Sequence, residues 1–238
     1  SSHAQWGIYR PMTEFVRDDK KMVALRLLVT AERVDSQDQA TALSIHQLAL
    51  QKQPQKSLEA IARDARYQCL IASSKEPALI VTGHHLDDQA ETFLLALKRG
   101  AGLKGLSAMA SSTKLAQHTL VRPLLDISRA EIIQYAQQQN LTWIEDESNQ
   151  DQIFDRNFLR HTVLPEFTAR WPSFNTTLSR SVKHCQDAQT LLDEIAEEDF
   201  LNVCFGEKVL AIESLLNLST QRFNNVLRYF LAKHDKLM

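Results

Sequence analysis

The chain has 238 residues and a mass of 27.1 kDa, 44% of them hydrophobic and 24% charged, with a formal net charge of -2 and a mean hydropathy of -0.28. Those values fit one large or two small folding domains and exclude a disordered tail, a collagen-like fibre and a membrane protein, for which an apolar run of about 18 residues is required. The first twenty residues carry Arg10, Glu14, Arg17, Asp18, Asp19 and Lys20 and no long apolar stretch, so no secretory leader is expected. Cys69, Cys185 and Cys204 are odd in number and far apart, which supports neither a disulfide framework nor a zinc cluster and makes a reducing cytoplasm the expected compartment.

In chain order, Met22–Leu25 reads as a buried strand, and Arg26–Val29 follows it without a turn signal. Ala42–His46 alternates like a half-buried strand. Leu58, Ile61, Ala62, Ala65, Cys69 and Ala72 recur at helical spacing, which predicts a helix over 57–72 with Ser57 as N-cap and Glu59–Arg63 paired outside. Ala78–Thr82 is the clearest candidate for a buried strand, leading through Gly83-His84-His85 into a helix over 86–99 that Gly100 stops. A strand around Leu120 precedes Pro123, and Ser128-Arg-Ala-Glu131 is a capping box opening a helix that ends near Asn140. Strand and helix alternate through this half, which predicts a parallel sheet flanked by helices. Beyond Pro165 the pattern is helical, over 173–200 and 219–233, with a boundary near 165–172.

Charge is unevenly spread. Lys98, Arg99, Lys104, Lys114, Arg122 and Arg129 face only Asp126 in their stretch, while residues 185–201 hold six acids and no Lys or Arg. A polyanion would meet the first and avoid the second; two solvated surfaces are the plainer alternative.

Three stretches carry chemistry. Gly83-His-His-Leu-Asp-Asp-Gln-Ala-Glu-Thr92 lies where a strand feeds a helix, the edge at which open α/β sheets bind ligands. Its Asp88 and Glu91 share one helical face, either complementing the helix dipole or holding a cationic amine or Mg2+. A metal hydrolase would need further ligands with paired spacing, which the other histidines lack, so no metal ligand is assigned. Lys98-Arg-Gly-Ala-Gly-Leu-Lys-Gly105 combines cations with glycines that let backbone N–H groups approach an anion, although Gly100 alone also suits a helix C-cap. Finally, Arg156 and Arg160 share a face if the chain is helical from Phe154, forming a two-pronged grip on a phosphate or carboxylate unless Asp151 and Asp155 satisfy them. Arg63 and Arg66 form a similar pair beside Tyr67, or a solvated face with Glu59 and Asp64.

Taken in order, Leu58–Tyr67, Gly83–Thr92, Lys98–Gly102 with Gly105-Leu106, Arg122–Leu125, and Trp143–Asn149 with Asp151, Arg156-Asn157 and Arg160 resemble the tRNA(Ile)-lysidine synthetase family. The likeness is strong over 56–165 and looser to 238. It implies an α/β PP-loop ATP pyrophosphatase domain, adenine-nucleotide α-hydrolase-like, over 1–165, and a second, all-helical tRNA-binding domain over 166–238. It also implies ATP and Mg2+ as cofactors and, as partners, free L-lysine and a tRNA(Ile) with a CAU anticodon, in the cytoplasm, without membrane, with a homodimer allowed. ATP would adenylate O2 of the wobble cytidine with release of pyrophosphate; the lysine ε-amine would then attack C2 and expel AMP. By motif position, Asp88 and Glu91 would bind the lysine ammonium and Arg156 would hold lysine or the base. His84, Asp87, Arg63, Arg66, Lys98, Arg99, Lys104, Asn149 and Arg160 would contact lysine, base, tRNA or ATP phosphates. A 2-thiocytidine-forming relative would be expected to carry cysteine pairs, and no Cys-x-x-Cys is present. A non-catalytic RNA-binding remnant is the other alternative.

The likeness breaks at one place. The family's Ser-Gly-Gly-x-Asp-Ser loop, which cradles the ATP pyrophosphate, is absent, as is a His-His-Gly-Leu segment after the second strand. Arg26–Val29 resembles the helix expected behind that loop, yet the stretch from Leu25 to Ala42 is too short for a helix, a strand and another helix. The expectation is a chain interrupted at Leu25/Arg26 and again near Val34–Gln37; an unbroken backbone there would mean a degenerate nucleotide site. Many members of that family continue into a further C-terminal domain.

Overall fold

The computed structural model describes residues 14–17, 22–31, 42–51, 58–141, 143, 152–206 and 209–234, with side chains from residue 60 onward. Ser57, Glu59, Val34–Gln37, Asn149 and Asp151, which figure in the expectations above, lie outside the described residues or side chains. Two compact units are present, Ser1–Glu91 with Ala110–Thr176, and Thr92–Met109 with Thr177–Met238.

In the first unit, β1 (Glu14–Arg17), β2 (Met22–Ala31) and β3 (Ala42–Gln51) form an antiparallel sheet in the order β1-β2-β3. Arg26–Val29, expected as a helix, is strand, in a ladder that sets Leu25 opposite Leu48 and Arg26 opposite Gln47. Val29 and Thr30 are β-branched, and the following Ala31 still pairs with Ala42, so the β preference of this run outlasts its leucines. The sheet is also antiparallel where a parallel one was expected; the ten residues from 32 to 41 are fewer than the dozen or more that a parallel crossover needs.

Helix α1 (Leu58–Ala72) matches the periodicity and runs beside β3 and β2, burying Ile61 and Ala62. A second sheet contains β4 (Leu79–Val81), β5 (Ser112–Leu115) and β6 (His118–Val121), in the order β4-β6-β5. Here β4 and β6 are parallel, as the alternation predicts, while β5 is an antiparallel partner of β6. The expected buried strand is buried only at Ile80; Leu79 is 64% and Val81 53% exposed, and β4 is an edge strand of its sheet. His118 is a satisfied core residue: its Nδ1 accepts from Ala78 N–H (3.2 Å) and its Nε2 lies 2.9 Å from Ile71 O, joining the end of α1 to the start of β4.

Helix α2 (Leu86–Lys98) ends in Gly100 at φ +66°, where the Gly100 and Ala101 N–H groups bond back to Leu97 and Ala96, so that glycine serves as a helix stop. Helix α3 (Leu103–Leu106) follows. Helix α4 (Arg129–Gln138) carries the expected capping box, with Ser128 accepting from Glu131 N–H and Glu131 accepting from Ser128 N–H. The Ser128 hydroxyl, which donates to Glu131 Oε2 at 2.6 Å, and then the Ser128 N–H hold the Glu131 carboxyl below its ordinary range. Helix α5 (Asp155–Phe158), a π-helical turn over Leu159–Val163 and α6 (Leu164–Arg170) complete the unit before α7 (Phe174–Val203) begins.

The second unit is built on α7, α8 (Ile212–Leu216) and α9 (Thr220–His234), whose core is Phe200, Val203, Leu215 and Val226 with Phe223, Tyr229 and Phe230 against them. It is not all-helical: β7 (Cys204–Gly206) and β8 (Val209–Leu210) pair antiparallel where the helical pattern of 173–200 gives way to Cys-Phe-Gly and Val-Leu. Five of the six acids of 185–201 are exposed; Asp199 is buried and held by the Arg222 guanidinium, with Nε 2.8 Å away.

Candidate active site

The site begins at the end of β4, where Thr82-Gly83-His84-His85 turns into α2. Leu86 N–H donates to Ile127 O (2.9 Å), and His85 bridges Leu124 in parallel, so this turn lies beside the segment leading to α4. A helix start leaves backbone N–H groups without intrahelical partners. His85 and Asp88 satisfy two of them reciprocally: His85 N–H donates to Asp88 Oδ2 (3.0 Å) and Asp88 N–H to His85 Nδ1 (3.4 Å). Asp87 braces the same corner, accepting from Arg129 N–H (2.8 Å) and from Asn175 Nδ2 (2.9 Å).

One turn on, Glu91 is wholly buried, and Asp88 is nearly so. Their partners come from α5 and the π turn. Arg156 Nε donates to Glu91 Oε2 at 2.6 Å; Arg160 donates from Nε to Oε1 at 2.7 Å and from Nη2 to Oε2 at 3.0 Å. Arg160 Nη2 also reaches Asp88 Oδ1 at 3.3 Å, and Arg156 Nη2 lies 3.8 Å from it. The two-pronged grip foreseen for Arg156 and Arg160 is therefore a grip on a carboxylate of this chain, made by charge-assisted bonds of the stronger kind. The pair of acids foreseen as an anchor for a cation is already matched by two guanidinium groups.

His84 stands beside this network, with Nδ1 2.9 Å from Thr82 Oγ1. Burial lowers its pKa to about 4; Asp88 opposes that shift, and the charges of Arg122, Arg156 and Arg66 add to it. The imidazole is neutral at physiological pH and sits within the field of three guanidinium groups. Arg122 is among them although no role was assigned to it: it is buried, donates from Nη1 to Ala110 O (2.8 Å), and leaves its buried Nε without a partner among the described residues.

That orphaned donor, with Arg66 and Arg156, suits a phosphate or another oxyanion. The Ser-Gly-Gly-x-Asp-Ser sequence that would supply a glycine cradle for a pyrophosphate is not in this sequence. Mg2+ does not fit Asp88 and Glu91 as they stand, because guanidinium groups hold their oxygens.

A cavity of about 220 Å³ opens in this unit, bounded by Asp87, Glu91, Arg129, Arg160 and Asn175, with Leu164 and Pro165 as an apolar wall. Arg129 and Asn175 carried no signal as site residues in the sequence: one belongs to the capping motif of α4 and the other opens a long helix. Of the remaining expected residues, Arg63 is exposed and lies over the Tyr67 ring at 5.7 Å, the solvated-face alternative. Lys98, Arg99 and Lys104 are exposed in the second unit.

Comparison with known proteins gives the relatives of the chain. The tRNA(Ile)-lysidine synthase of Pectobacterium atrosepticum is 50% identical over 181 residues, 76% of this chain and 41% of that protein. Those of Vibrio campbellii and Coxiella burnetii are each 46% identical, over 80% and 79% of this chain and 42% and 41% of their own lengths. The chain thus spans about two fifths of the length of these curated relatives. The PP-loop domain profile matches residues 13–167, which takes in both sheets, the corner at His84–Glu91 and the two gripping arginines. By that match, over more than half its length, the chain belongs to the PP-loop domain family.

Proposed function

We propose that this chain is the catalytic part of a lysidine-forming ligase: ATP adenylates the wobble cytidine of a CAU-anticodon isoleucine tRNA, and free L-lysine displaces AMP from it. The observation that carries the reading is the buried Asp88–Glu91–Arg156–Arg160 cluster at the strand-to-helix edge, in a chain half identical to proteins bearing that activity in their names. Residues 1–165 form the nucleotide-using part and 166–238 a tRNA-facing part.

Each group then has a physical task. Glu91 holds the two arginines in place from behind, and Asp88, whose Oδ1 lies 3.3 Å from Arg160 Nη2 where the bonds on Glu91 are 2.6–3.0 Å, exchanges that longer contact for the ammonium of the incoming lysine. Arg156, 28% exposed, turns its outer face to the base or the leaving phosphate. ATP supplies the adenylyl group, with Mg2+ carried on its phosphates rather than on Asp88 or Glu91. Arg66 and Arg122 stabilise the negative charge of that group, and neutral His84 serves as a hydrogen-bonding partner without adding repulsion to lysine. The wobble base lies in a single-stranded loop, so no duplex has to be opened. Exposed Lys98, Arg99 and Lys104 contribute sequence-independent attraction for tRNA phosphates.

A second reading, a tRNA-binding remnant without catalysis, is favoured by one observation, the missing Ser-Gly-Gly-x-Asp-Ser loop. Incubation of the chain with ATP, Mg2+, labelled lysine and CAU-anticodon tRNA decides between them. Label in the tRNA supports ligation; tRNA retention without label or AMP release supports the remnant.

A further inference from the structure

Between Ala96 and Met109 no side chain is buried, and this stretch carries Lys98, Arg99 and Lys104 on its surface. Lys98 and Arg99 are fixed by the end of α2, where the Gly100 and Ala101 N–H groups bond back to Leu97 and Ala96. Lys104 lacks that support. It lies in α3, a single turn of four residues with none buried, far below the length at which a helix holds itself together in water. An anchor for α3 therefore has to come from outside it.

Gln186, half-buried on α7, supplies one. Its Nε2 donates to Ser107 O at 2.9 Å and to Met109 O at 3.2 Å, which uses both hydrogens of the amide. In an extended chain those two oxygens would stand about 6.6 Å apart, too far for one nitrogen at these distances. The residue between them, Ala108, takes φ +45°, and the kink brings them together. That conformation is disfavoured for a residue with a Cβ, and no glycine relieves it here. The amide thus stabilises a backbone shape that the local sequence opposes, immediately behind the turn that carries Lys104. We infer that Gln186 is a positioning residue, fixing α3 on α7 so that Lys104 meets a polyanion already in place. The inference deepens the proposed function and rests on it for the identity of that polyanion, the phosphates of the tRNA. Preorganisation of this kind raises affinity by removing the cost of ordering a side chain, and leaves the number of charge contacts alone.

Binding of a CAU-anticodon isoleucine tRNA transcript, followed by fluorescence anisotropy at about 50–200 mM salt, tests this. Lys104→Ala removes a contact: binding is expected to weaken, and the slope of log affinity against log salt to flatten by about 0.7–0.9. Gln186→Met keeps the length and helix propensity of the side chain but not the donor. It is expected to weaken binding about three- to tenfold with the slope unchanged, and to add nothing once Lys104 is alanine. A folded Gln186→Met with wild-type affinity, whatever its melting temperature, shows a bond that serves the fold alone and overturns the inference. Full additivity of the two substitutions also overturns it. Unchanged affinity in Lys104→Ala, or no tRNA binding by the unsubstituted chain, does so without recourse to the Gln186 variant. Transfer of labelled lysine, measured in parallel, keeps the proposed ligation separate. Binding with the expected pattern but no transfer leaves the positioning role standing and removes the ligase reading; transfer with full affinity in Lys104→Ala does the reverse.

Discussion

Replacing Glu91 with alanine removes a carboxylate that is 0% exposed and accepts three charge-assisted bonds, from Arg156 Nε and from Arg160 Nε and Nη2. The loss is not three bonds added together. Breaking a buried pair by deleting one partner costs about 3–5 kcal/mol, chiefly because the remaining charge is stranded. Here Arg156 is 28% exposed and recovers some hydration, whereas Arg160, at 13%, recovers little, so the lower half of that range applies, about 3–4 kcal/mol. Against a total of about 5–15 kcal/mol for a domain, that is a large fraction. Urea unfolding followed by circular dichroism reads it directly: with a slope of about 2 kcal/mol per molar, the midpoint falls by about 1.5–2 M. Glu91→Gln, which keeps an acceptor oxygen and the volume, is expected to fall between wild type and alanine. A shift below about 1 kcal/mol for alanine would refute the reasoning, since it would show the two arginines equally well served by water.

Stability also depends on pH through His84. Its folded pKa of about 4 lies below its ordinary 6.5, so the unfolded chain binds the proton more readily, and stability is complete above pH 6.5 and is lost as pH falls toward 4. The size is about 3 kcal/mol over that window; His84→Gln should flatten the dependence in urea titrations at pH 4–7, and an unchanged slope would assign it elsewhere. Ser128→Ala breaks the capping box of α4 and should cost about 1 kcal/mol in the same assay while leaving far-UV helicity beyond the first turn intact.

The reach of the sequence differs element by element. The capping box, the Gly100 stop and the apolar spacing of α1 are local devices, and the structure has them where their residues stand. The i,i+4 spacing of Arg156 and Arg160 was enough to foresee a shared face and a carboxylate or phosphate target. Which carboxylate was beyond it, because Glu91 lies 65 and 69 residues away and only the tertiary fold brings it there. Asn175 and Arg129 gave no warning for the same reason: their significance is a contact with Asp87, not a pattern of neighbours. The strand character of Arg26–Val29 was missed because a leucine run reads equally as helix or strand, and its ten-rung pairing with β3 decides the matter. The exposure of Leu79 and Val81 was missed because an apolar run says nothing about whether both faces of a strand are covered.

The central claim, that Asp88 serves the incoming amine rather than the nucleotide step, is tested most directly by separating the two half-reactions in Asp88→Asn. Pyrophosphate release with CAU-anticodon tRNA measures adenylation, and labelled lysine in the tRNA measures transfer. Asp88→Asn should lose transfer by about a hundredfold or more while adenylation falls far less, one charged anchor in a dry site accounting for the difference. An equal loss in both steps, or transfer at the wild-type rate, would contradict it.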